Sequence, residues 1–158
     1  MTNHKTALIT GIHGQDGYYL SRLLLDKNYH VIGLGRGAVG PGWPHAPRID
    51  YRFAALRDLA QLIRLFKELR PSEVYNLAAQ SFVPLSWEQP IGTFESNALP
   101  VISLLEAIRA TDPEIRLFQA SSAQMFGQLR EQPCSEQTPF RPGNPYAVSK
   151  FFAHMMTV

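Results

Sequence analysis

One cysteine, Cys134, stands in the whole chain, so no internal disulfide can form, and a reducing compartment, the cytoplasm, is the expected location. No apolar run approaches the length of a membrane span, which argues against a membrane partner. The net charge of +2 is too small to make nucleic acid the expected partner either. The opening MTNHKTALIT passes straight into a strand-like run and leaves no room for a signal peptide. No internal repeat is visible. His4, His30, His45 and His154 are scattered without metal-ligand spacing, so no metal is expected. What is present is ordinary for a soluble fold: 45% hydrophobic and 18% charged residues over 158 positions, enough for one domain with a real core.

The apolar pattern changes period along the chain. TALIT (6–10) and HVIGLG (30–35) read as buried strands, IDYRFAAL (49–56) holds a short third, EVYNLA (73–78) a fourth and IRLFQASS (115–122) a fifth. Between them, 15–27 places Tyr19, Leu20, Leu23 and Leu24 at helical spacing. Residues 57–70 place Leu59, Leu62, Ile63, Phe66 and Leu69 on one face, closed by Pro71. A longer helix is expected over 89–110, with Pro100 kinking it or marking a late start. A Gly/Pro-rich stretch (36–47) and a segment running to about Gly143 read as loops. A last helix begins with Asn144 as N-cap and Pro145 at its first position. Strand–helix alternation of this kind predicts an α/β, Rossmann-like, doubly wound parallel sheet, with its ligand at the carboxyl ends of the strands near the switch point.

The first strand runs into TGIHGQDG (10–17), with Gly11, Gly14 and Gly17 between a strand and a helix. That context suits a pyrophosphate: a tight turn, close backbone approach, and a helix N-terminus with free N–H groups. His13 in this turn could contact phosphate or simply be solvated, and Asp16 complements the helix dipole. The second strand ends in Gly35-Arg36 with no acid. An acid there would bind a ribose 2′-hydroxyl and an arginine suits a 2′-phosphate, which favours NADP over NAD. Tyr146 and Lys150 are four apart on the last helix and share a face. A tyrosine beside an ammonium can take a proton from a substrate hydroxyl as hydride leaves the same carbon, and Ser122 can hydrogen-bond the same oxygen.

With TGIHGQDG, NLAAQS (76–81), SSA (121–123) and YAVSK (146–150) in this order, the sequence resembles the extended short-chain dehydrogenase/reductases that act on nucleotide sugars. Within them it is most similar to the GDP-mannose 4,6-dehydratases. TGIHGQDGYYL, LRPSEVYNLAAQSFVPLSW and QASSAQMFGQLREQPCSEQTPFRPGNPYAVSK carry the likeness. The resemblance implies that Gly11, Ile12, His13, Gly14, Gln15, Asp16, Arg36, Leu56, Leu77, Ala78, Ala79, Gln80, Ser81, Tyr146 and Lys150 line an NADP site. It implies that Ser122 is the catalytic Ser/Thr, that Gln124 holds the position of a catalytic glutamate, and that Ser81, Val83 and Ser86 with Ser122 face the sugar. GDP-mannose or a related nucleotide sugar is the implied substrate.

Three departures stand out. Gln124 replaces the glutamate that would take the C5 proton in the elimination, and an amide cannot accept it. Ala55-Leu56 stands where the family has Asp-Leu beside adenine. Family members are roughly twice as long, so 1–158 is expected to be an incomplete NAD(P)-binding Rossmann domain, truncated before its last strands and lacking the substrate domain. The unpaired sheet edge this leaves predicts a homo-oligomer or a partner chain. The chain is then a dehydratase homologue with a relocated base or very low activity, a 4-epimerase or 4-ketoreductase that needs only the hydride step, or a non-catalytic nucleotide-binding fragment.

Overall fold

The computed structural model describes residues 5–35, 43–128 and 133–158. Five strands, β1 (Thr6–Thr10), β2 (His30–Gly35), β3 (Asp50–Phe53), β4 (Glu73–Asn76) and β5 (Arg116–Gln119), form one parallel sheet in the order β3-β2-β1-β4-β5. The chain divides into two compact units, Met1–Ala78 with Ile102–Gln119, and Ala79–Val101 with Ala120–Val158. The sheet lies entirely in the first.

Strand alternation sorts the core of this first unit into two layers. Ala7 and Ile9 on β1 and Val31 on β2 pack with Leu24 and Leu25 of α1 (Gln15–Asp26) and with Ile49. Leu8, Ile32, Leu34 and Val74 point the other way. They pack with Leu62 and Phe66 of α2 (Leu59–Leu69) and with Leu104, Ala107 and Ile108 of α5 (Leu99–Thr111). Neighbouring residues on one strand thus serve opposite faces, each covered by helices, as the near-continuous apolar runs TALIT and HVIGLG require. Burying a side chain of Leu or Phe size contributes about 1.5–3 kcal/mol, so Leu8, Ile32, Leu62 and Phe66, all at 1% exposure or less, dominate this half of the core. Strand order reverses between β1 and β4, which makes their carboxyl ends the switch point.

Helix ends follow the sequence. Asp58 caps α2 by accepting from the Gln61 N–H at 2.9 Å, and Arg70 closes it in the left-handed region at φ 44° just before Pro71. The helix expected over 89–110 is two, α4 (Pro90–Asn97) and α5, which starts one residue before Pro100. Pro100 has no N–H to donate back and restricts the residue before it, so the helix restarts there. Three short elements have no counterpart in the sequence pattern: a 3₁₀ turn at Ala46–Arg48, α3 (Leu85–Glu88) and a second 3₁₀ turn at Ala123–Phe126 inside the expected loop. The second unit gathers α3, α4 and α6 (Pro145–Met155), with Phe94 and Phe152 in ring contact at 5.4 Å. Among the described residues no helix is long and apolar enough to cross a membrane.

At the amino end of β4, the buried Glu73 carboxylate accepts from Tyr75 (2.8 Å), Tyr29 (3.2 Å) and Arg116 (2.6 Å), with Lys5 Nζ at 3.7 Å. Burial alone would raise its pKa. The two phenol hydrogen bonds and the charges of Arg116 and Lys5 outweigh that and hold it below the usual carboxylate range. A depressed folded-state pKa gives stability that is present above the unfolded value, about 4.3 for glutamate, and is lost as pH falls through the folded one. Glu73→Gln is expected to lower stability by about 1–3 kcal/mol at pH 7. The difference from wild type should shrink as pH drops below about 4, read by thermal melts at pH 7, 5 and 3. A gap that widens in acid contradicts this assignment.

Candidate active site

In the first unit, β1 delivers the chain into Gly11. Its φ is +68°, and a Cβ there would lie 2.6 Å from the Ala78 nitrogen, so only glycine lets the turn after β1 press against the residues after β4. The approach is fastened by side chains. Thr10 Oγ1 donates to Asn76 Oδ1 (2.5 Å) and accepts from the Ala78 N–H (3.1 Å), while Asn76 Nδ2 donates to Gln119 Oε1 (2.7 Å). One buried polar chain therefore ties the carboxyl ends of β1, β4 and β5. Beyond Gly11, Ile12 is fully buried, the Gly14 N–H donates to the Gly11 carbonyl at 3.0 Å, and Gly14 becomes the N-cap of α1.

No side chain caps α1, and Asp16 sits in its first turn. At Gly17 a Cβ would lie 2.4 Å from the Ile12 carbonyl oxygen, so α1 starts hard against the turn. Gln15 and Asp16 are exposed at this start. A concave backbone with a side-chain-free helix N-terminus, kept open at positions that a Cβ would fill, fits a pyrophosphate. His13 is exposed, with its Nε2 3.1 Å from the Tyr51 hydroxyl. Leu56 packs on the α2/α5 side of the core and Leu77 on the α1 side. Arg36 lies outside the described residues.

The second unit holds the remaining expected residues. Pro145 opens α6, and Asn144 caps it by accepting from the Ala147 N–H at 2.7 Å, as the sequence predicts. Tyr146 (8% exposed) and Lys150 (4%) are buried on this helix. The Lys150 ammonium donates to the Ala120 carbonyl, and burial pushes its pKa down. Ser122 caps the 3₁₀ turn, its Oγ accepting from the Gln124 N–H at 3.2 Å. Gln124 Oε1 accepts from Asn144 Nδ2 at 3.3 Å. Ser122, Gln124, Tyr146 and Lys150 are thus linked through one capped helix start and its neighbouring turn. A cleft of about 580 Å³ is lined by Ser122, Met125, Phe126, Glu136, Phe140 and His154. Neither Tyr146 nor Lys150 lines it. Ala79 and Ser81 are exposed, Val83 is half-buried, and Ser86 is fully buried with its hydroxyl donating to the Val83 carbonyl at 2.7 Å.

Sequence reasoning missed Asn97 and Ser149. The Asn97 amide clasps the Gln80 backbone, accepting from its N–H (2.7 Å) and donating to its carbonyl (3.1 Å). Its second N–H reaches Ser149 Oγ (3.0 Å), which donates to the Tyr146 carbonyl (2.7 Å). Gln80 Nε2 donates to the Phe82 carbonyl and to Thr93 Oγ1, and Gln80 Oε1 is buried without a partner. The one signal in the sequence is polar residues at positions that a helix would otherwise give to apolar ones.

Gly11→Ala is expected to lower stability by about 2 kcal/mol or more in thermal melts, because the new Cβ meets backbone and the residue keeps a left-handed φ. A variant that melts like wild type would show that the turn does not need the close approach.

The chain is similar to known proteins along nearly its whole length. Residues 8–158 match the family model described as GDP-mannose 4,6 dehydratase. The GDP-mannose 4,6-dehydratase of Yersinia enterocolitica is 42% identical over 167 residues, covering 98% of this chain and 45% of that protein. GDP-mannose 4,6 dehydratase 1 of Arabidopsis thaliana is 41% identical over 170 residues, covering 98% and 47%. The chain therefore spans about half the length of the curated relatives it matches. Among solved structures, the UDP-glucose 4-epimerase of Brucella ovis in complex with NAD superposes with a TM-score of 0.88 at 25% identity, over 96% of this chain and 46% of that one. By the match that runs from Leu8 to the last residue, the chain belongs to the GDP-mannose 4,6 dehydratase family.

Proposed function

We propose that residues 1–158 act as one NAD(P)-binding Rossmann domain of a cytoplasmic enzyme that dehydrates GDP-mannose, or a related nucleotide sugar, with NADP. The observation that carries this reading is the burial of Tyr146 and Lys150 on α6, with Ser122 and Gln124 held at the start of the same helix. Hydride acceptance and return are the chemistry that a bound nicotinamide would supply. Tyr146 takes the proton of the sugar 4-hydroxyl, and Ser122 Oγ orients that oxygen. The Lys150 ammonium, fixed on the Ala120 carbonyl, is the cation carried on the same helix as that phenol. Gly11, Ile12, His13, Gly14, Gln15 and Asp16 receive the pyrophosphate, with Leu56, Leu77, Ala78, Ala79, Gln80 and Ser81 along the rest of the cofactor. Ser81 and Val83 face the sugar, while the expected Ser86 is fully buried and supports that surface through its bond to the Val83 carbonyl. In the sequence, Gly35 at the end of β2 is followed by Arg36 and no acid, which supports NADP over NAD. A homo-oligomer belongs to the same proposal, since β3 and β5 each pair on one side alone and open edges favour association.

Gln124 favours a second reading. Its amide cannot take the C5 proton, and its Oε1 accepts from Asn144. A 4-epimerase or 4-ketoreductase needs only hydride steps, and the similar Brucella protein is named as a 4-epimerase. Incubating the chain with GDP-mannose and NADP and following the sugar by NMR separates the two. A 4-keto-6-deoxy product supports dehydration, and an epimer or a plain 4-keto sugar supports the second reading. Gln124→Glu is expected to raise the dehydration rate on the order of a hundredfold, the usual contribution of a placed base. No gain in that variant would mean that elimination does not pass through position 124.

A further inference from the structure

The histidine of the glycine turn has a partner that its sequence neighbourhood does not suggest. Tyr51 lies on β3 and the turn follows β1, yet the Tyr51 hydroxyl is 3.1 Å from His13 Nε2, and the rings meet edge-on at 5.4 Å. Since β2 lies between β1 and β3, the two side chains close over β2. Gly33 makes this bridge possible. It pairs with Ile9 on one side and Tyr51 on the other, and a Cβ there would come within 3.2 Å of Ile12 and 3.3 Å of the Tyr51 ring. The imidazole is thereby drawn from the pyrophosphate turn toward the carboxyl half of β2, the place where a fold of this kind reads the adenosine ribose. Burial pushes the Tyr51 phenol up to about 12, so it keeps the proton with which it can donate to Nε2. In the tautomer that accepts this bond the hydrogen sits on Nδ1, and the contact orients the ring.

We propose that His13, oriented by Tyr51, is a specificity-determining residue that favours a phosphorylated over an unphosphorylated adenosine ribose. This rests on the reading that the turn binds a pyridine dinucleotide. A 2′-phosphate presents several anionic acceptors to an imidazole N–H, whereas a 2′-hydroxyl presents one neutral oxygen, so the pair distinguishes the two cofactors without changing the pyrophosphate seat.

Calorimetric titration of the 158-residue chain with NADP and with NAD, for wild type, His13→Asn and Tyr51→Phe, tests it, with circular dichroism verifying the fold. The preference for NADP over NAD is expected to fall about tenfold in His13→Asn, the value of one charge-assisted hydrogen bond. It should fall several-fold in Tyr51→Phe, which keeps both rings and loses only the hydroxyl. Tyr51→Phe decides alone if His13→Asn does not fold. Equal losses for both nucleotides would assign His13 to the pyrophosphate and overturn the proposal, as would an unchanged preference, and either leaves the dinucleotide reading standing. Folded wild type that binds neither nucleotide ends both.

Discussion

The structure depends first on the contact between Gly11 and Ala78, where the chain leaving β1 touches the chain leaving β4. A doubly wound sheet opens a crevice at its switch point whatever its sequence. What makes the crevice fit for a dinucleotide is that two backbones meet there without a side chain between them. That closeness needs a left-handed glycine, and it needs the polar groups that it buries to be satisfied. Thr10, Asn76 and Gln119 do the second job by passing hydrogen bonds from strand to strand. Each bond contributes only about 1 kcal/mol net, but an unpaired member would cost more than its bond contributes. The three residues therefore stand or fall together.

The strands, α1, α2 and the cap of α6 were legible because each is written in local chemistry. Period separates β1 from α1, Asn144 is a side-chain cap at the predicted place, and Pro100 ends one helix and admits the next. The glycine turn and the Tyr146–Lys150 pair were legible for the same reason, since spacing alone puts each pair of groups on one surface. The Asn97 clasp, the buried Ser149 and the Tyr51–His13 bridge were not. Their partners are 17, 52 and 38 residues apart, and nothing local marks a polar side chain that a distant backbone will claim. Four-residue α3 and the 3₁₀ turn after Ser122 are too short to carry a period.

The Asn97 and Ser149 contacts set the precision of the second unit. Asn97 uses both its amide hydrogens and its oxygen: two of the three bonds go to the Gln80 backbone and the third to Ser149, whose own proton goes to the Tyr146 carbonyl. The residues after β4 and the helix that carries the phenol are then held through one side chain, itself 3% exposed. Buried polar groups satisfied this completely rigidify what they connect, and a half-satisfied set would do the reverse. Lys150 shows the same economy: a buried ammonium is tolerated because a carbonyl receives it.

Position 124 shows the limit of what such a scaffold can report. The Asn144 amide does two things: its oxygen caps α6 and its nitrogen donates to Gln124 Oε1. A glutamate at 124 would accept that second bond as well as the glutamine does, since both present an sp² oxygen at the same reach. Exchanging one for the other leaves the helix cap, the 3₁₀ turn and the burial of Tyr146 without a reason to change. Yet the exchange adds or removes a carboxylate, a group that can take up a proton where an amide cannot. Fold and family membership rest on the many contacts that are indifferent to this atom, while the proton chemistry open to position 124 rests on the atom itself.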